Sequence, residues 1–159
     1  MKEYDVCSSY LKAYISPPLA EFIPRETTLS PCKRLEKEQL PFSKARLVFV
    51  GGRGLKTKTN YLRLKALADK YGAVCGCTRP VAMNGWESYD NFIGISGVSL
   101  KNCVVVTFGV SGAGPFIKGI KDADMIISIN NDANALIFDY SDYAMVTDCI
   151  KLISGLEKL

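Results

Sequence analysis

Cys103-Val104-Val105-Val106-Thr107-Phe108 runs directly into Gly109-Val110-Ser111-Gly112-Ala113-Gly114. The valine-rich half has no polar alternation, which predicts a strand buried on both faces of a parallel sheet. The second half reads as a turn into a helix that continues through Ile120. Here a serine hydroxyl, backbone amides and a helix N-terminus could hold a pyrophosphate; a tight strand-to-helix turn is the other reading. Three further segments share this grammar: Gly51-Gly52-Arg53-Gly54, Gly76-Cys77-Thr78-Arg79 and Gly94-Ile95-Ser96-Gly97. A parallel α/β sheet gathers such turns along one edge, so the four together point to an anionic nucleotide cofactor lying across that edge.

Outward from this stretch the chain alternates strands and helices. Arg46 to Val50 is a short β-rich run, and a helix is expected from about Thr59 to Tyr71, with Tyr61, Leu64, Leu67, Ala68 and Tyr71 at helical spacing and Gly72 as its stop. Ala73 to Cys77 is the next strand, Phe92 to Ile95 a third and Met125 to Ile129 another. A closing helix is expected from about Ser141, with Tyr143, Val146, Ile150 and Ile153 as one apolar stripe. The plan is a doubly wound α/β fold on a mostly parallel sheet, with ligand loops at the carboxyl ends of the strands. Residues 1–45 carry Pro17, Pro18, Pro24, Pro31 and Pro41 and read as an N-terminal arm; residues 46–159 read as the domain.

Composition narrows the chemistry. The chain has 159 residues, 48% hydrophobic, which is one domain's worth of core. Residues 1–79 hold fifteen Lys or Arg against seven acids, and residues 80–159 five against nine. The bases are not interleaved with an aromatic platform, so nucleic acid is not the expected partner. The absence of histidine removes His-based catalysis and His-ligated metal sites. Cys75 and Cys77 form a C-x-C within an expected strand and are expected on opposite faces, which argues against a shared metal. No apolar leader follows a basic start, and no apolar run is long enough to span a bilayer, so a reduced cytoplasmic protein is expected.

Arg53 and Arg79 are placed at strand ends facing one rim, where they could meet an anion or pair with a surface acid. Asn130 and Asp132 follow the Met125 strand; their polar atoms could read an adenine or ribose, or could simply form the turn. Asp148 is expected as an exposed acid inside the last helix.

From about Leu47 onward the chain resembles the FAD-binding domain of the electron transfer flavoprotein alpha subunit. The resemblance is carried by Gly51 to Lys56, Gly76 to Arg79, Gly94 to Gly97, Ser111 to Ala113, Ile129 to Asp132 and Asp142 to Tyr143. It implies a deoxyhypusine-synthase-like nucleotide-binding fold with bound FAD, acting as an electron carrier rather than an enzyme. Position by position, it implies that Arg53 lies near the flavin, that Thr78 and Arg79 supply a hydroxyl and a cation, and that Ile93, Gly94, Ile95 and Ser96 line the ring edge. Ser111, Gly112, Ala113, Gly114, Pro115 and Phe116 match the loop over the ribityl and phosphate groups. Asn130, Asp148 and Cys149 match the adenosine half.

The sequence departs from the family pattern at three places. Pro115-Phe116 stands where a Gln-His pair is usual, so no histidine sits beside the flavin carbonyl. Ile95 replaces a common glutamine. Only residues near Ala20 to Pro41 resemble the segment leading into the FAD domain, so the family's first domain is expected to be missing. Redox protein partners, a beta-type subunit or a homodimer are the implied assemblies. The competing reading is an interaction or regulatory module that binds flavin weakly or takes another adenine nucleotide.

Overall fold

The computed structural model describes residues 41–159, so most of the expected N-terminal arm lies outside the described residues. Five strands form one sheet: β1 (Leu47–Gly51), β2 (Val74–Cys77), β3 (Val104–Phe108), β4 (Met125–Asn130) and β5 (Tyr143–Val146). Their order is β2-β1-β3-β4-β5, and every adjacent pair is parallel. The chain leaves β1 in one direction to make β2, then crosses back to build β3, β4 and β5 on the other side. The crevice between the carboxyl ends of β1 and β3 is therefore the switch point at which such sheets hold ligands.

The helices are α1 (Lys58–Lys70), α2 (Arg79–Met83), α3 (Gly114–Ile120) and α4 (Cys149–Leu156). Strand side chains alternate between the two faces, which splits the core in two. On one face Phe49, Cys75, Cys77, Phe108 and Ile129 pack beneath Tyr61, Leu64, Leu67, Val81 and Ile153 of α1, α2 and α4. On the other, Val48, Val50, Val105 and Ile126 meet Phe116, Ile117 and Ile120 of α3, joined by Ile93, Leu100, Ile137 and Phe42. Phe42 belongs to the short turn Pro41–Lys44, so this part of the expected arm contributes to the core.

α1 opens on Thr57, whose hydroxyl accepts the Asn60 N–H at 3.2 Å, and closes at Tyr71 before Gly72, which takes φ +65°. The Cys75 and Cys77 expectation is corrected: residues two apart in a strand share a face, and both thiols sit in the core beneath α1. Among the described residues no group of three or more His, Cys, Asp or Glu is placed to hold a metal. Phe92 to Ile95 is corrected too, because it makes isolated bridges, Cys77 to Phe92 and Ile93 to Val98, rather than a strand. The turn at Gly94 and the return of Val98 N–H to the Phe92 carbonyl end any ladder there.

The closing helix is shorter than expected. Tyr143–Val146 pairs with Ile127–Asn130 as the edge strand β5, each of its residues exposed, and the helix begins only at Cys149. The apolar spacing of 143, 146, 150 and 153 spans two elements by coincidence. What resets the chain is Asp148, whose carboxylate accepts the N–H groups of Ile150 and Lys151 and so caps α4 instead of lying within it.

Candidate functional site

The loops after β1 and β3 meet at the switch point. Gly52 N–H donates to the Phe108 carbonyl and Gly54 N–H to the Gly109 carbonyl, both at 2.9 Å. No side chain fits between them, since a Cβ on Gly52 would come within 2.2 Å of the Gly109 oxygen. Gly109, at φ +63°, is equally closed off by Gly54.

Around this seam opens a cavity of 610 Å³, within the range of cofactor pockets. One wall is Gly52, Arg53 and Gly54, and a second is Thr78, Arg79 and Pro80 at the start of α2. Phe92, Ile93, Ile95 and Ser96 form the third, and Ser111, Ala113, Pro115 and Phe116 the fourth. Asn130, Asp132, Asn134, Ala135 and Leu136 complete it beyond β4. Three of the four glycine-containing segments therefore contribute through their non-glycine residues.

The polar groups on this surface are selective. Arg53 and Arg79 are exposed, and neither guanidinium makes a hydrogen bond or ion pair among the described residues. Thr78 is buried, yet its hydroxyl does not cap α2 and has no partner among the described residues. No fully buried side-chain polar atom is left unpaired there, so this hydroxyl opens on the cavity. Asn130 is committed differently: its amide donates to the Val110 carbonyl at 2.8 Å and its oxygen accepts the Asp132 N–H at 3.1 Å, stitching the loops after β3 and β4.

α3 contributes less positive field than its sequence suggested. Pro115 has no N–H, and the N–H groups of Phe116 and Ile117 both turn back to the Ala113 carbonyl. Arg53 and Arg79 are the cationic side chains on the cavity surface. Gly112 also has a structural duty. It takes φ +88°, and a Cβ there would lie 2.3 Å from the Ile137 nitrogen, so this glycine exists for the packing of Ile137. Gly114 is the opposite case, with open space where a Cβ would point.

Gly94, Gly112, Gly114, Asp148 and Cys149 are not part of the cavity surface. Gly94 and Gly112 hold the loops that carry Ile95 and Ser111. Cys149 is buried with its thiol 3.8 Å from the Gly54 carbonyl, behind the first loop. Hydrogen bonds from the Ile150 and Lys151 N–H groups, with Lys56 nearby, hold the Asp148 carboxyl below the usual range. Pro80, Phe92, Asn134 and Leu136 line the cavity without having been singled out by the sequence. Pro80 directly follows a motif that stood out, Phe92 and Asn134 each lie two residues from one, and Leu136 lies four residues beyond Asp132.

Behind the Phe92 wall lies a charged cluster. Glu87 accepts from Lys65 Nζ at 2.7 Å, Ser88 N–H at 2.9 Å, Asn91 Nδ2 at 3.1 Å and the Tyr61 hydroxyl at 3.2 Å. Burial pushes its carboxyl up, but Lys65, Ser88 and Asn91 outweigh that and hold it below the usual carboxylate range. Burial pushes the Cys75 and Cys77 thiols up to about 12, and raises the Tyr61 hydroxyl as well.

Comparison with known proteins follows the same outline. Residues 41–121 match the model of the electron transfer flavoprotein FAD-binding domain. The chain is 35% identical over 152 residues to Protein FixB of Azotobacter vinelandii, covering 96% of this chain and 40% of that protein. It is 39% identical over 112 residues to Protein FixB of Azorhizobium caulinodans, covering 70% and 30%. With Protein FixB of Salmonella typhimurium it shares 37% over 122 residues, covering 76% and 39%. The chain spans about a third of the length of these curated relatives.

Proposed function

Because this chain belongs to the electron transfer flavoprotein FAD-binding family, we propose that it binds FAD across the β1/β3 switch point and serves as an electron carrier between protein partners. The observation that carries the reading is the cavity itself: two guanidiniums and a threonine hydroxyl, none with a partner among the described residues, on a mostly apolar surface. Those groups fit a dinucleotide, whose phosphates need cations and whose ring edge needs hydrogen-bond donors. Arg53, Thr78, Arg79, Ser96 and Ser111 would hold it, with Ile93, Ile95, Ala113, Pro115 and Phe116 as apolar contacts. FAD, when bound, supplies the capacity to take up and release electrons singly.

The chain's own part is binding, orientation and electrostatics. A guanidinium on the wall favours added negative charge nearby more than it favours the neutral state. Phe116, buried on the α3 side, excludes water but can donate no hydrogen bond, so charge stabilisation rests on Arg79 and Arg53. The Asn130 to Leu136 wall is assigned to the adenosine half. No residue is asked to move a proton to a substrate, which fits a carrier rather than an enzyme.

The partners in this reading are redox proteins, including a beta-type subunit or a second copy of the chain across the exposed edge of β5. A reduced cytoplasmic setting is supported by the four described cysteines, all free. Among the described residues no helix is long and apolar enough to cross a membrane.

Titration of stripped protein with FAD and FMN tests the cofactor, and the visible spectrum of gently purified protein gives a direct view. FAD is expected to bind more tightly than FMN. Equal affinities overturn the adenosine assignment, and failure of both to bind transfers the reading to a module for another adenine nucleotide.

A further inference from the structure

Thr107 and Ser128 are both fully buried, and they stand opposite each other in the β3–β4 register on the α3 face of the sheet. The Thr107 hydroxyl donates to Ser128 Oγ at 2.9 Å. Ser128 Oγ lies 2.7 Å from the Ser141 hydroxyl, which in turn is 2.7 Å from the Ile137 carbonyl oxygen. Each hydroxyl has one proton to give. The Ile137 carbonyl can only accept, so Ser141 gives its proton there. Ser128 must then donate to Ser141 while accepting from Thr107. The three hydroxyls form a one-way chain ending on the turn Leu136–Tyr140.

That turn is part of the cavity. Leu136 and the adjoining Ala135 line it, and the Ile137 N–H donates to the Ser111 carbonyl at 3.1 Å while Ile137 backbone packs on Gly112. We propose that Ser128 and Ser141 are positioning residues for ligand binding: through the Ile137 carbonyl they fix the Leu136 wall against the Ser111 loop, and with it the end of the ligand held between them. The inference rests on the FAD reading only for the identity of that ligand. A buried hydroxyl left without its partner costs stability whatever its function, so the test has to separate anchoring of the wall from simple desolvation.

Ser128→Ala is the first variant. FAD affinity should fall by roughly five- to tenfold, the worth of one net hydrogen bond, while FMN, which lacks the adenosine end, binds as in the parent. In ligand-free protein, amide exchange should accelerate at Ile137 and Phe138. The second variant combines Thr107→Val and Ser128→Ala. It leaves no hydroxyl donor unpaired and keeps the Ser141 bond to the Ile137 carbonyl, so its melting temperature should recover toward the parent, yet the turn has lost its link to β3 and β4 and FAD affinity should remain low. Recovery of FAD affinity together with melting temperature overturns the proposal, as does unchanged exchange at Ile137 and Phe138. If the parent itself binds no FAD, the cofactor reading fails, and the exchange comparison alone decides the tether.

Discussion

Replacing Glu87 with glutamine tests how the Phe92 wall is held. The carboxylate is only 9% exposed and receives four donors, from Lys65, Ser88, Asn91 and Tyr61. Glutamine keeps the shape but turns an NH2 group toward some of those donors. Breaking an ion pair that is buried at both ends costs about 3–5 kcal/mol. Lys65 is 42% exposed and recovers solvation, so the expected loss is about 2 kcal/mol. For a domain of this size that lowers Tm by roughly 6–8 °C.

The sign of the pH dependence follows from the depressed carboxyl. Its folded value lies below the unfolded one, so its stabilisation is fully present above the unfolded value, about 4.3, and disappears as pH falls through the folded value. Parent and variant should therefore differ most near neutrality and converge in acid. Urea unfolding at pH 7 and at a series of acidic pH values measures this. A difference below about 0.5 kcal/mol at pH 7, or one that does not shrink in acid, refutes the account of Glu87 as a charged anchor.

Gly112→Val should destabilise the ligand-free protein by more than about 2 kcal/mol, because both its positive φ and the Ile137 backbone exclude a side chain; near-parent thermal stability would contradict this. Arg79→Ala should lower the one-electron potential for the first reduction of FAD-loaded protein by about 40 mV, equivalent to about 1 kcal/mol for a partly solvated charge, whereas Arg53→Ala should act more on affinity; spectroelectrochemical titration and binding measurements distinguish them. Native Cys75 and Cys77, with thiols pushed up to about 12, should resist iodoacetamide at pH 8 and react only on unfolding, as peptide mapping would show.

The parallel sheet was legible because β3 and β4 are largely apolar without alternation, and the cavity because glycine turns follow β1 and β3. Local patterning failed where one pattern served two elements. The spacing from Tyr143 to Ile153 is helical in number, but the Ile127–Asn130 partner claims Tyr143–Val146 for the sheet, a long-range decision invisible in a short window. Asp148 had the residue type of a cap, and only the strand before it reveals that role. The division of labour among glycines was also hidden. Gly52, Gly109 and Gly112 are required by neighbouring backbone far away in sequence, and no local reading separates that from backbone approach to a phosphate. Asn130 shows the same limit, since its amide is occupied by Val110 twenty positions earlier.

The backbone seam between Gly52, Gly54 and Gly109 has a kinetic consequence. Two loops joined by their own hydrogen bonds, with no room for a side chain between them, are arranged before any ligand arrives. The entropy of ordering this floor is lost when the chain folds, not when the cavity fills. Association at the seam should therefore be a single bimolecular step, its observed rate rising linearly with ligand concentration without a plateau from loop closure, and variants of the peripheral walls should differ chiefly in residence time.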